Sequence, residues 1–278
     1  MPELPDLTIV AEILSRHLAA RRITAACEMR PLVVRPLRYG DTAASFLVGR
    51  AVAGVRPRGK FLLLALDGGT AVAVNCMLAG RLRLCPPNDR PRVRDYFAAT
   101  FAGDDGPPLD LRYHDVKGMG KVYLTPDPAL IPGFSELGPD ALDPALTAEE
   151  FAARLRRFTG EIKGILTREG LVAGIGNAYA DEILFRAGLY PFRKRPSLSA
   201  IEIAGLYAAM RAVLSEAVET LRMRMGDDPE TELRDFLQVH NRVGQPCPRC
   251  GHPISRVTLA QRFTDFCREC QPGTLVRR

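Results

Sequence analysis

The period of the apolar positions changes near residue 20 and again near residue 146. Between residues 5 and 20, Leu7, Val10, Ile13, Leu14 and Leu18 recur at helical spacing and define one apolar face. Pro5 falls at or just before the first turn of that helix, where a missing N–H costs nothing. From about residue 22 to 125 the helical period gives way to short apolar runs punctuated by Gly, Asp and Pro. Phe61–Leu66 and Ala71–Val74 flank Asp67-Gly68-Gly69, a hairpin signal, and 109–113 and 121–124 read as further strands. This half is predicted to be a β-sandwich or flattened barrel with the first helix packed on it. Residues 126–146, rich in Pro, Gly and Asp, read as a linker. Thr147-Ala148-Glu149-Glu150 then opens a helix with a capping-box pattern. Further helices are expected over 161–168, 177–187, 199–224 and 229–238. The organisation expected is therefore a lobe at 1–125, a linker at 126–146, a helical domain at 147–239 and a small module at 240–278.

The 278 residues are 46% hydrophobic, enough for two packed cores, and the formal charge is +6. A basic globular chain most often meets an acidic partner, of which nucleic acid is the commonest, although basicity alone is weak evidence. No apolar run approaches the roughly 18 residues that a membrane span needs. Glu3 and Asp6 interrupt the start where a signal peptide would be basic and then apolar. The chain is therefore expected in the cytoplasm, where seven cysteines point to metal ligands and reduced thiols rather than disulfides.

Four of those cysteines stand as Cys247-x2-Cys250 and Cys267-x2-Cys270, the ligand pattern of a closed tetrahedral zinc site. An iron–sulfur cluster is the competing reading, and nothing redox-like accompanies it. With all four positions filled by protein, one zinc ion would stabilise the module and not catalyse. Arg262 lies between the two knuckles, in a stretch from residue 240 onward with seven arginines and only Asp265 and Glu269 as acids. It suits a phosphate or groove contact, or it is a solvated side chain. At the other end, Met1-Pro2-Glu3 is a start from which Met is normally trimmed, leaving Pro2 as a secondary amine with a pKa near about 8. Such an amine condenses with an aldehyde-level carbon to an iminium, an electron sink for eliminations. Lys60, after Arg56, Arg58 and Gly59, is either a solvated charge or a general acid/base facing Pro2. Gly174-Ile175-Gly176-Asn177 enters a helix; it reads as an ordinary N-cap by Asn177 or as an anion site.

Taken together, Pro2-Glu3-Leu4-Pro5, Arg58-Gly59-Lys60-Phe61-Leu62, Leu137-Gly138-Pro139, Gly174 to Glu182 and Gly244-Gln245-Pro246-Cys247 resemble the formamidopyrimidine-DNA glycosylase/endonuclease VIII family. The blocks occur in order over nearly the whole chain. The resemblance implies an α+β, two-lobed fold: an N-terminal β-sandwich with a packed helix, then a helical helix–two-turn–helix domain with a zinc-finger β-hairpin, with damaged double-stranded DNA in the cleft. It implies a base-excision glycosylase with AP lyase activity that removes oxidised or ring-opened bases. Pro2 would be the nucleophile at the sugar C1′, Glu3 the acid, and Lys60 a phosphate contact that assists elimination. Arg262, Asn177 and Lys163 would grip phosphates around the everted nucleotide. Leu78 would fill the gap it leaves, and Lys117 and Met119 would invade the opposite strand. The chain is expected to act as a monomer, without a membrane. The alternatives are a non-catalytic lesion binder on the same scaffold and a zinc-ribbon RNA-binding protein.

Several positions depart from the family pattern. Asp6 stands where Glu is usual, Asn75-Cys76-Met77-Leu78 replaces His-Leu-x-Met, and Lys117 and Met119 replace Arg and Phe. Lysine lacks the bidentate fork with which arginine reads a base, so selectivity for cytosine opposite the lesion should be weaker. The stretch from Met225 to Gly244 is short where members that cap 8-oxoguanine carry a longer loop. This argues against 8-oxoguanine as the preferred lesion.

Overall fold

Residues 1–38, 40–103, 106–259 and 262–273 are described, from a computed structural model, with the side chains of Leu259 and Arg262 left aside. Two compact units emerge: residues 1–136 with 220–232, and residues 137–219 with 233–278.

The first unit starts with α1 (Leu4–Leu18), whose N-cap is Glu3. The Glu3 N–H donates to the Asp6 carboxylate at 2.8 Å, so Asp6 supplies one arm of a capping box. Leu7, Ile13, Leu14 and Leu18 are fully buried, as the helical spacing requires. There follow β1 (Arg22–Glu28), β2 (Val34–Pro36), α2 (Ala43–Leu47), β3 (Val52–Arg58), β4 (Phe61–Leu66), β5 (Ala71–Asn75), β6 (Gly80–Cys85), β7 (Asp95–Ala102), β8 (Leu109–Asp115) and β9 (Lys121–Thr125). They form the two sheets of the expected sandwich, in orders β1-β7-β8-β6 and β2-β9-β5-β4-β3. Helix α1 packs on β3 and β4, which explains why β4 is buried along most of its length.

The second unit contains α3 (Ala148–Leu155), α4 (Ile162–Leu166), α5 (Asn177–Ala187), most of α6 (Ala200–Arg224), and the hairpin of β10 (Ser255–Leu259) and β11 (Arg262–Phe266). The Thr147 hydroxyl caps α3 by accepting from the Glu150 N–H at 3.2 Å, as its sequence suggests. Turns between α4 and α5 complete the helix–two-turn–helix.

Three features differ from expectation. The helix expected over 229–238 does not form: the segment is turn and coil. Its apolar residues do sit at helical spacing, but the N–H groups of Gln238, Val239 and His240 are taken by the buried Glu182 carboxylate at 2.9 Å each. The stretch 126–146 contains the boundary between the two units at 136/137, but it is packed on both sides of it. Ile131 joins a core cluster with Leu63 and Ala73, while Gly138 and Ala141 donate to the carbonyls of Glu169 and Ala173. The metal module belongs to one compact unit with the helical domain.

Candidate active site and zinc centre

Strand register places one end of the sandwich. In the five-stranded sheet, Arg58 pairs with Phe61, Phe61 with Asn75, and Asn75 with Lys121. In the other sheet, Gly80 pairs with Asp115. The Gly59-Lys60 turn, the 76–79 loop and the 116–120 loop therefore leave the sandwich at the same end. Gly59 takes φ 56° at the first central position of a two-residue hairpin, which is why a glycine precedes Lys60.

The 76–79 and 116–120 loops share a root. Tyr113 and Asp115 are both fully buried. The Asp115 carboxylate accepts from the N–H groups of Lys117 at 2.9 Å and Gly120 at 2.8 Å, and from the Tyr113 hydroxyl at 3.3 Å. That hydroxyl occupies the space in which side chains of Gly80 and Gly120 would lie: a Cβ would fall 1.9 Å and 1.7 Å from it. Both positions must therefore be glycine. On the 76–79 side, the Asn75 side chain accepts from the Met77 N–H at 3.1 Å, holding Met77 at φ 47°. Above these roots the tips are open, with Leu78 48% and Met119 42% exposed and Lys117 also exposed. Large apolar side chains held out on rigid roots are suited to entering another molecule.

The chain terminus lies at this same end. The Met1 amine is 3.7 Å from Glu232, whose other oxygen pairs with Arg81, next to Gly80. Burial pushes the Cys76 thiol up to about 12, and the nearby N-terminal charge is among the effects that moderate it. Pro2 and Glu3 are buried, Glu3 at 2% exposure, and Lys60 is half-buried. While Met1 remains attached, the Pro2 nitrogen is an amide without a nucleophilic lone pair. Trimming transfers the free amine to Pro2.

In the second unit Lys163 and Asn177 both reach the backbone of the zinc-finger hairpin. Lys163 is 7% exposed, and its ammonium pairs with Asp181 at 2.7 Å and donates to the Phe263 carbonyl at 2.9 Å and the Thr264 hydroxyl at 3.0 Å. These three partners match the three N–H donors of its ammonium. The α5 N-cap is Gly176, and Asn177, the first helical residue, sends its side-chain N–H to the same Phe263 carbonyl at 3.1 Å. Both residues thus fix the backbone beside Arg262. The Arg262 backbone lies in β11, and its side chain is outside the described residues.

Around Phe263 is a buried polar cluster that sequence reading missed. His240 stacks on the Phe263 ring at 5.2 Å and meets Asp181 at 2.8 Å. Arg256 covers the ring at 4.1 Å and holds Asp265 through two bonds of 2.6 Å. Burial pushes the Asp181 carboxyl upward, against the pull of His240 and Lys163. Asp181, His240 and Asp265 are close enough to share a cation, but Lys163 and Arg256 already supply the positive charge. Replacing Lys163 by Met should leave Asp181 buried beside fewer cations and destabilise the second unit by about 3–5 kcal/mol. Chemical denaturation checks this, and a loss below about 1 kcal/mol would show that the pair is dispensable.

The four cysteines converge. Their sulfurs lie within 4.8 Å of one another, with Cys247–Cys270 at 3.8 Å and Cys250–Cys267 at 3.4 Å. Zinc–sulfur bonds of about 2.3 Å in a tetrahedron require about 3.8 Å between sulfurs, so the donor set fits zinc with little adjustment. Burial raises the Cys247 thiol, but the Arg249 and Cys250 amides aimed at its sulfur outweigh it and bring it down to about 7, favouring the thiolate that binds metal. The knuckle is also fastened to α5: Arg249 lies over the Phe185 ring at 4.3 Å and donates to the carbonyls of Phe185 and Arg186 at the helix end.

The chain is similar to known proteins over nearly its whole length. Residues 1–122 match the formamidopyrimidine-DNA glycosylase N-terminal domain, residues 137–226 its H2TH domain, and residues 244–273 the zinc finger found in FPG and IleRS. The chain is 38% identical to the formamidopyrimidine-DNA glycosylase of Symbiobacterium thermophilum, over 98% of this chain and 90% of that one. It is 35% identical to that of Desulforamulus reducens, over 98% and 99%. Among solved structures, the Lactococcus lactis Fpg in complex with DNA containing an abasic site superposes with a TM-score of 0.86 at 26% identity, covering 98% of this chain and all of that one. The same enzyme with N7-benzyl-Fapy-dG DNA also gives 0.86 at 26% identity. The zinc-finger match and the cysteine geometry together assign one structural zinc ion to Cys247, Cys250, Cys267 and Cys270. The chain belongs to the formamidopyrimidine-DNA glycosylase family, the DNA glycosylase/AP lyases of base-excision repair.

Proposed function

We propose that Pro2, freed by removal of Met1, attacks the sugar C1′ of a damaged nucleotide and carries both base release and strand cleavage. The observation that carries this reading is the gathering of the terminus, the Lys60 turn and the Leu78 and Met119 loop tips at one end of the sandwich. A base must leave the stack before its glycosidic carbon is reachable, at a cost of a few kcal/mol. Leu78 then fills the vacated space, and Lys117 and Met119 meet the opposite strand. Glu3, buried at the start of α1, is the proton donor for ring opening or base departure. Lys60 contacts a phosphate and assists elimination. Attack by the Pro2 nitrogen leads to an iminium; loss of the neighbouring C2′ proton expels the 3′ phosphate, and a second elimination can expel the 5′ phosphate.

In the second unit Arg262 is the phosphate-gripping residue, and Lys163 and Asn177 act by holding its strand. We place the protein as a monomer in the bacterial cytoplasm on chromosomal DNA. Its bacterial relatives support this, and among the described residues no helix is long and apolar enough to cross a membrane. Ring-opened purines and oxidised pyrimidines are the proposed substrates, with 8-oxoguanine disfavoured by the short 225–244 segment. Duplexes carrying each lesion and an abasic site test this. The abasic duplex should be nicked, and formamidopyrimidine or thymine glycol excised faster than 8-oxoguanine. Tight binding without nicking would leave only a lesion-binding protein.

A further inference from the structure

Residues 225–232 connect α6 to the start of the 233–278 stretch, and they belong to the first unit. Three of their acids pair with basic groups of that unit. Asp227 meets Arg16 at 2.7 Å and His17 at 2.5 Å, Glu230 meets Arg92, and Glu232 meets Arg81. Ion pairs of this kind on a surface hold little energy singly. Their combined effect is geometric: the strap is registered on α1, on the loop before β7 and on β6. Glu232 sits where the registration matters most. One carboxylate oxygen is held by Arg81, directly after Gly80, while the other faces the chain's amine at 3.7 Å with the side chain only 27% exposed.

We propose that Glu232, braced by Arg81, is the carboxylate partner of the nucleophilic amine, orienting it and receiving its proton. This rests on Pro2 being the nucleophile. Trimming Met1 moves the α-nitrogen back by one residue, at most about 3.6 Å, so Glu232 and Arg81 would have to shift together to keep the pair. The Pro2 nitrogen is bonded to both Cα and Cδ, so rotation of the terminal residue and the side of the ring that carries its N–H decide where its lone pair points, and a carboxylate beside it holds that N–H on one side. Reaction at C1′ needs that direction fixed. The nitrogen must also lose a proton. As the N–C1′ bond forms, the C1′–base bond breaks and the base leaves with the electron pair and a proton from an acid of the site. The new tertiary ammonium gives its remaining N–H proton to Glu232. Its lone pair then expels the ring oxygen, which takes up a proton, and the iminium results.

The test uses the full-length chain with its terminus verified as Pro2 by intact mass. Borohydride trapping on a preformed abasic duplex is followed under single turnover at saturating DNA, alongside the Kd for the same duplex. Glu232→Gln should trap at least about ten-fold more slowly with Kd unchanged within about two-fold. Glu232→Asp should recover part of the rate, and Arg81→Gln should fall between. An unchanged trapping rate in Glu232→Gln would overturn the proposal. So would a slower rate matched by an equal loss of affinity or by a lowered melting temperature, because Glu232 would then be structural only. If the unsubstituted chain forms no adduct, the failure lies with Pro2 as nucleophile and not with its partner.

Discussion

A chain that keeps Met1 should form almost no borohydride-trapped adduct with an abasic duplex, while the trimmed chain forms it readily. With Met1 in place, the Pro2 nitrogen is an amide and cannot attack. The free amine is then Met1's, one residue further out and facing Glu232. Misplacing a reacting group by about 1 Å can cost about 100-fold, and a shift of one residue is several times that. Trapping should therefore fall by at least about 100-fold, with duplex affinity held within a few-fold because the loops and the zinc hairpin are untouched. The comparison needs two preparations separated by intact mass, one trimmed and one retaining Met1. Pro2→Gly is a poorer control, since glycine keeps a terminal amine. Equal adduct yields from both preparations would show that another group, of which Lys60 is the foremost candidate, is the nucleophile.

Removing the zinc should abolish nicking altogether. Zinc binding contributes on the order of 10 kcal/mol to modules of this size, more than their small apolar contact can replace. Here the loss would extend beyond the knuckles. Cys247 and Cys267 belong to the core cluster with Phe185, Val239 and Ile254, and Arg249 covers the end of α5. The carbonyl of Phe263, in the same module, is what Lys163 and Asn177 grasp. Cys247→Ser, or chelation after thiol modification beginning at the exposed Cys250, should release one zinc per chain and lower the melting temperature. Nicking should drop by more than about 100-fold. A chain shown metal-free by elemental analysis and still nicking at the normal rate would overturn this role.

How far the sequence foretold the molecule depends on how local each interaction is. Strands β4 and β5 and helix α5 were legible because runs, hairpin glycines and caps act over a few residues. The cysteine pairs were legible because a metal site fixes ligand type and spacing. The contacts of Lys163 with the hairpin were not, because Phe263 and Thr264 lie far along the chain. The segment 229–238 misled for the same reason. Leu233, Phe236 and Leu237 suit a helix face, yet a distant carboxylate, that of Glu182, captures the amides that would close its end. Glu232 gave no signal of its own, since an exposed glutamate between two turns reads as a solvated charge.

The shared root of the 76–79 and 116–120 loops has a bearing on how such enzymes diversify. The buried hydroxyl post and its carboxylate fix both stems, whereas Leu78, Lys117 and Met119 at the tips are exposed. Residues at 78, 117 and 119 can therefore drift or be exchanged as a set while the platform stays intact. The two loops thus separate a fixed scaffold from an exchangeable surface.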